Sequence, residues 1–199
     1  VLDKAGNGAL CMNCHQTRQN AATYVTTTVG SARFGPHHGP QADMLAGANG
    51  FNYGRYIPSS AHGAVVEDTC VHCHMQPITD AKDPTFTNAG GHTFKMTRKG
   101  DDKNPTAYLI DACVKCHGPI VSLFDFQLFD YDNDGAIDGV QTEIQHLLDN
   151  LALQLPPVGQ PKTALAIDST WTRPQLAAAY NWQFVKYDGS FGIHNTAYA

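Results

Sequence analysis

Apolar residues recur with a helical period in two stretches of the chain. From Val140 to Leu155 they fall at Val140, Ile144, Leu147, Leu148, Leu151 and Leu155, which is one helical face, and Pro156-Pro-Val-Gly-Gln-Pro161 ends the pattern. A second helix is predicted from about Arg173, with Thr172 as its N-cap and Pro174 in its first turn. It runs through Leu176, Tyr180, Phe184 and Tyr187 to a stop at Asp188-Gly189. Thr23-Tyr-Val-Thr-Thr-Thr-Val29 is β-branched and reads as a short strand. From Gly35 to Ser60 the chain is rich in Gly, Pro and Asn and reads as loop, long for a compact domain unless something bound orders it. Lys99-Gly-Asp-Asp-Lys-Asn-Pro105 reads as a charged turn, and no repeat of fixed period is present.

Composition adds to this picture. The 199 residues are 42% hydrophobic and 16% charged, with 18 Gly and 11 Pro. No apolar run approaches the ~18 residues of a membrane-spanning helix. Thirteen Lys+Arg against 18 Asp+Glu leave a net charge of −5, which argues against nucleic-acid binding by phosphate neutralisation. Ten histidines and six cysteines need another explanation.

All six cysteines fall in pairs of one spacing, Cys11/Cys14, Cys70/Cys73 and Cys113/Cys116, each followed at once by a histidine: His15, His74 and His117. CxxCH is the attachment pattern of c-type haem. Two thiols three residues apart on a helical turn add across the two vinyl groups of one haem, and the next imidazole lies under the iron as proximal ligand. Zinc, disulfides or redox dithiols account for CxxC, but not for the histidine. Histidine after all three pairs by chance is expected about once in ten thousand such triples. Three covalently bound haem c groups are therefore expected. Their attachment takes place outside the cytoplasm, so the chain is expected to be extracellular or on the cell surface, with the periplasm as the alternative. Because nothing at the N-terminus resembles a charged and apolar leader, the expectation is that an export signal has been removed.

Three irons with histidine beneath need ligands above. His146 lies in the helical pattern and reads as a surface or packing residue, and His72 is trapped inside Cys70-Val-His-Cys-His74. The competent distal candidates are His38 (with His37 as its alternate), His62, His92 and His194, four positions for three irons. Each is flanked by glycine or by a stiff Gly-Pro turn that lets the backbone approach a flat ring. Met44 and Met96 are not needed as ligands.

Asp130-Tyr-Asp-Asn-Asp-Gly-Ala-Ile-Asp138 matches the start of an EF-hand calcium loop. Its ligand positions are Asp130, Asp132, Asp134, the Ala136 carbonyl and Asp138, with glycine at position 6. Position 12 is Gln141 in place of glutamate, and Glu143, two residues on, is the substitute. One Ca2+ of structural role is expected here, against a solvated acidic turn.

The run Pro36-His-His-Gly-Pro-Gln-Ala-Asp-Met-Leu45, then Ser60-Ala-His-Gly ahead of Cys70-Val-His-Cys-His-Met75, then Gly90-Gly-His-Thr-Phe94 and Asp188-Gly-Ser-Phe-Gly-Ile-His-Asn195, resembles the multihaem c-type cytochromes of metal-reducing and related anaerobic bacteria and archaea. The resemblance spans nearly the whole chain. It implies His62, His92 and His194 as distal haem ligands, with His38 or His37 from the HHGP element. Several members of that group polymerise into extracellular filaments in which a histidine of one subunit ligates a haem of the next. The resemblance thus implies partners that include other copies of the chain, head to tail, besides other redox cytochromes or extracellular acceptors. Three motifs, rather than four or more, is a departure from those relatives.

The expected fold is mainly α with extensive irregular loops and few short strands, organised around a haem stack. Residues 1–125 would form the trihaem core. Residues 126–199, the calcium-like loop and the two helices, would belong to the same domain and pack on the haems rather than around a protein core. The expected function is electron transfer through closely stacked bis-histidine haems, with no enzymatic activity. The alternative is a reductase of a small nitrogen or sulfur oxyanion, which needs one open iron.

Overall fold

The computed structural model describes residues 5–58, 61–83, 86, 88–101, 106–119 and 124–199. The described chain is mainly helical: α1 (Gly8–Met12), α2 (Ala21–Thr27), α3 (Gln41–Ala46), α4 (Ala61–Val65), α5 (Cys70–His74), α6 (Asp111–His117), α7 (Val140–Gln154) and α8 (Arg173–Asp188). A 3-10 turn spans Gly91–Thr93, and β1 (Thr97–Arg98) pairs antiparallel with β2 (Ala107–Tyr108). The predicted charged turn connects these strands, and its residues 102–105 lie outside the described residues. Among the described residues no helix is long and apolar enough to cross a membrane.

The two periodic helices form where the pattern places them. At the start of α8 the Gln175 side chain accepts from the Thr172 N–H at 2.8 Å, Pro174 follows, and Gly189 ends the helix in the left-handed region at φ 74°. At the start of α7 the Asp125 carboxylate accepts from the N–H groups of Gln141 and Thr142 at 2.7 and 3.1 Å. At its end the Lys162 ammonium donates to the Ala152 carbonyl at 2.7 Å.

Two N-terminal segments differ from expectation. Thr23–Val29 is no strand, because residues 21–27 form α2. The Asn20 side chain caps it by accepting from the Thr23 N–H at 3.1 Å, and Thr26 and Thr27 return their hydroxyls to the carbonyls of Ala22 and Thr23, both at 2.8 Å. Its last carbonyls are closed from far along the chain: Arg173 donates to Val25 O at 3.0 Å and to Thr28 O at 2.5 Å. Within the predicted loop Gly35–Ser60, α3 forms between Pro40 and Gly47, and it buries Met44 completely and Leu45 nearly so.

Helices α7 and α8 were expected not to pack around a protein core, and in that respect the structure differs. Ala21 and Val25 of α2, Phe34, Met44 of α3, Ile144, Leu148 and Ala152 of α7, and Leu176, Tyr180, Trp182, Phe184 and Val185 of α8 form one buried cluster. The Trp182 indole donates to Leu148 O at 3.0 Å across the α7–α8 contact. Asn181 bridges to the segment after α3, accepting from Phe51 N–H at 2.8 Å and donating to Phe51 O at 2.9 Å. The cluster draws on residues either side of position 125, so the two expected segments share one core.

The elements bearing the cysteine motifs are built differently. Here α1 packs on α5 and α5 on α6. The Asn7 N–H donates to Asp68 Oδ1 at 2.8 Å and the Thr69 hydroxyl to Ala5 O at 3.1 Å. Gly8 permits this approach: a Cβ there would lie 2.7 Å from the Asp68 carbonyl oxygen.

Candidate haem and metal sites

The packing of α1, α5 and α6 brings the three CxxCH motifs into one row. Neighbouring thiols come close enough to influence each other: burial, with a smaller contribution from Cys11, pushes the Cys70 thiol up, and burial with help from Cys113 and Cys70 pushes Cys73 up to about 11. Burial also raises Cys113. A redox-active dithiol or a thiolate metal ligand needs the opposite shift. All six cysteines are free, and among the described residues no three Cys or His ligand atoms converge as a zinc site requires.

The second observation concerns the histidines. His117 of the third motif lies against His62, with ring centroids 5.9 Å apart, and His74 of the second motif lies against His194 at 6.2 Å. Two imidazoles bound on opposite sides of one iron, with metal–nitrogen bonds of about 2 Å, have centroids roughly 6–6.5 Å apart. Both separations lie close to that figure.

The ring nitrogens are allotted in the same sense. Nδ1 of His62 meets Ile193 O at 2.9 Å, Nδ1 of His74 meets Phe94 O at 2.8 Å, Nδ1 of His194 meets Asp188 Oδ1 at 2.6 Å, and Nδ1 of His15 meets Gln41 Oε1 at 3.0 Å. Each of these oxygens is an acceptor, so each Nδ1 carries a proton. Burial pushes His62 and His74 below the ordinary histidine value, which favours the neutral, ligating form. Hydrogen bonds of this kind orient metal-ligating histidines and fix their tautomer.

These supports were not among the residues singled out from sequence: Gln41, Asp188 and the carbonyls of Phe94 and Ile193. Gln41 and Asp188 meet at the end of α8, and Ile193 follows shortly after it. Gln41 holds His15 with one side-chain atom and with the other donates to the carbonyls of Tyr187 and Asp188 at 2.9 and 3.2 Å. A carboxylate six residues before His194 is the one signal the sequence offered.

The other distal candidates are placed differently. His38 packs on Tyr187 with centroids 4.5 Å apart, and His37 and His38 lie 5.6 Å from each other. Both are exposed, and His37 has a left-handed backbone at φ 67°. His92 is exposed on its 3-10 turn. Among the described residues, no second imidazole lies against His15, and none lies against His92. Large apolar side chains beside the motifs are also bare: Leu10 is 80% exposed, Val65 70%, Phe94 53% and Val114 37%.

The acidic loop takes the shape of its motif. The Asp134 N–H donates to Asp130 Oδ1 at 3.2 Å and to Asp132 Oδ1 at 3.0 Å, the Gly135 N–H donates to Asp130 Oδ2 at 3.1 Å, and Gly135 has φ 94°. Carboxylate oxygens of Asp130, Asp132 and Glu143 lie within 4.8 Å of one another. Glu143 is buried in the first turn of α7 and also accepts from the N–H groups of Tyr131, Asp132 and Asp138. Gln141 turns away and donates to Ser190 O at 3.0 Å. His146 is not a bystander on its helix: its Nδ1 lies 2.8 Å from Asp132 Oδ2, and the aspartate holds the imidazole above its usual value. Asp134 and Ala136 are exposed.

The chain matches no family model, no curated protein and no solved structure.

Proposed function

We propose that this chain is a trihaem c-type cytochrome that carries electrons through closely spaced bis-histidine haems at the cell surface or outside the cell. The observation that carries the reading is the pairing of His117 with His62 and of His74 with His194, with Nδ1 of His62, His74 and His194 each engaged by an oxygen acceptor. The bare apolar side chains at Leu10, Val65, Phe94 and Val114 suit the face of a porphyrin. Bound haem supplies a one-electron ferric/ferrous couple, kept low by imidazole in place of thioether ligation. The residues fit three such groups: Cys11, Cys14 and His15; Cys70, Cys73 and His74 with His194; Cys113, Cys116 and His117 with His62. Filling both axial positions shuts substrates off from the metal, as a carrier needs.

The site at His15 has no second imidazole among the described residues, and two arrangements answer to that. In the polymer reading, the sixth ligand is an exposed histidine of another copy (His92, His37 or His38), and a head-to-tail contact of this kind repeats into a filament. In the reductase reading, the position is open to a small nitrogen or sulfur oxyanion. Calcium in the loop of Asp130, Asp132, Asp134, Ala136, Asp138 and Glu143 would tie that loop to α7.

Mass spectrometry of exported protein is expected to show three covalent haems per chain. Carbon monoxide added to the ferrous protein separates the arrangements. Dilute monomer binding one equivalent, with the binding lost on polymerisation, supports a carrier completed by its neighbour. Binding in both states supports the reductase.

A further inference from the structure

The two paired distal histidines are held by unlike acceptors. His62 donates to a neutral peptide carbonyl, Ile193 O, at 2.9 Å. His194 donates to the carboxylate of Asp188 at 2.6 Å, and that side chain is entirely enclosed. Asp188 Oδ2 accepts from the N–H and hydroxyl of Ser190, and the Ser190 hydroxyl in turn accepts from the His194 N–H at 3.1 Å. The carboxylate is thus fixed within a closed ring of bonds at the end of α8, aimed at one imidazole, with no water-facing surface to spread its charge.

Partial transfer of the Nδ1 proton toward a carboxylate makes an imidazole a stronger electron donor through Nε2 than a hydrogen bond to a carbonyl does. A stronger donor favours the ferric over the ferrous ion. Hydrogen bonding around axial ligands is one of the levers by which a protein sets haem potential. Burial strengthens the effect because the charge is little screened.

We infer that Asp188 is the residue that tunes the second site: by holding His194 through a buried carboxylate, it lowers the reduction potential of the iron shared by His74 and His194 relative to what a carbonyl acceptor would give. This rests on the haem reading above. Asp188 touches neither iron nor porphyrin and acts through His194 as a positioning residue. The electron therefore meets a step between the second site and the third, although both are bis-histidine.

The test is a redox titration, followed optically and by electron paramagnetic resonance, of the three-haem protein and of three variants. Asp188→Asn keeps the shape and an acceptor oxygen but removes the charge. It is expected to shift one haem component upward, changing its ferric-to-ferrous ratio at fixed potential by tenfold or more, which is ~59 mV for one electron. His194→Met is expected to create a methionine–iron absorption band and to displace the same component. Ser190→Ala removes one donor from the carboxylate, strengthens its claim on His194 and is expected to move that component downward, a sign that loosening of the fold does not produce. No shift in Asp188→Asn, or an equal shift of all three components, overturns the inference. If Asp188→Asn fails to mature, the Ser190→Ala titration decides on the same terms. A His194→Met protein without the new band overturns the assignment of His194 as ligand, and with it the inference. A band together with an unmoved Asp188→Asn overturns the inference alone.

Discussion

Helices α8 and α5 both carry residues that the candidate sites depend on, yet they are built on opposite terms. In α8 nine residues are buried, among them Tyr180, Trp182 and Phe184, and they meet α2, α3 and α7 side chain to side chain. In α5, in α6 and in the 3-10 turn at His92, no residue is buried, and α4 buries only Gly63. What holds the second region is a small apolar cluster of Ala5, Met12 and Leu45 and a set of polar tethers: Asp68 to Asn7, Thr69 to Ala5, His74 to Phe94 and His62 to Ile193. One half of the molecule carries its own hydrophobic stabilisation. The other arranges thiols and imidazoles with far less apolar burial, and the haems proposed for it would add contact surface there.

The largest effect comes from separating the halves. Protein made without haem attachment is expected to keep slow amide exchange in α7 and α8, while amides in α1, α5 and α6 exchange orders of magnitude faster than in the mature protein. Uniform loss of protection would erase the comparison. Next, Phe184→Ala, which empties a fully buried position, is expected to cost about 3–5 kcal/mol in thermal or denaturant unfolding. Val65→Ala, at an exposed position beside the motifs, is expected to stay within about 0.5 kcal/mol in haem-free protein. Removing calcium by chelation is expected to lower stability by about 2.7 kcal/mol from a solution held at a hundred times the dissociation constant, and Glu143→Gln is expected to abolish the difference. Calorimetry with and without chelator measures it. Below that, Asn20→Ala removes the cap of α2 and is expected to cost about 1 kcal/mol.

The two long helices were legible because their apolar period, their caps and their glycine and proline stops agree with one another. The helix α2 was not, because four threonines and two valines between Thr23 and Val29 outweigh a cap supplied by Asn20 and a closing guanidinium that lies 145 residues away from Thr28. The motif residues were legible from spacing alone, and His62 and His194 were among the histidines singled out from the sequence. Their allocation was not, since which imidazole faces which is decided by the approach of α4 to α6 and of the 189–194 turn to α5. His146 was set aside as a helical surface residue because its partner, Asp132, lies one element back in the chain. Asp188 read as a helix stop, and its second task shows only once the backbone returns His194 to it.

The Asn181–Phe51 bridge sets an order of events. Met44, Gly50 and Phe51 find partners in α8 and beyond: Asn181 for Phe51, the Tyr198 hydroxyl for the Gly50 N–H, and Asn195 for the Met44 carbonyl. When the chain is made from its N-terminal end, all three cysteine motifs therefore emerge before the stretch that completes the core. The thiols lie on open chain until α8 and the residues after it arrive, and the molecule closes behind them.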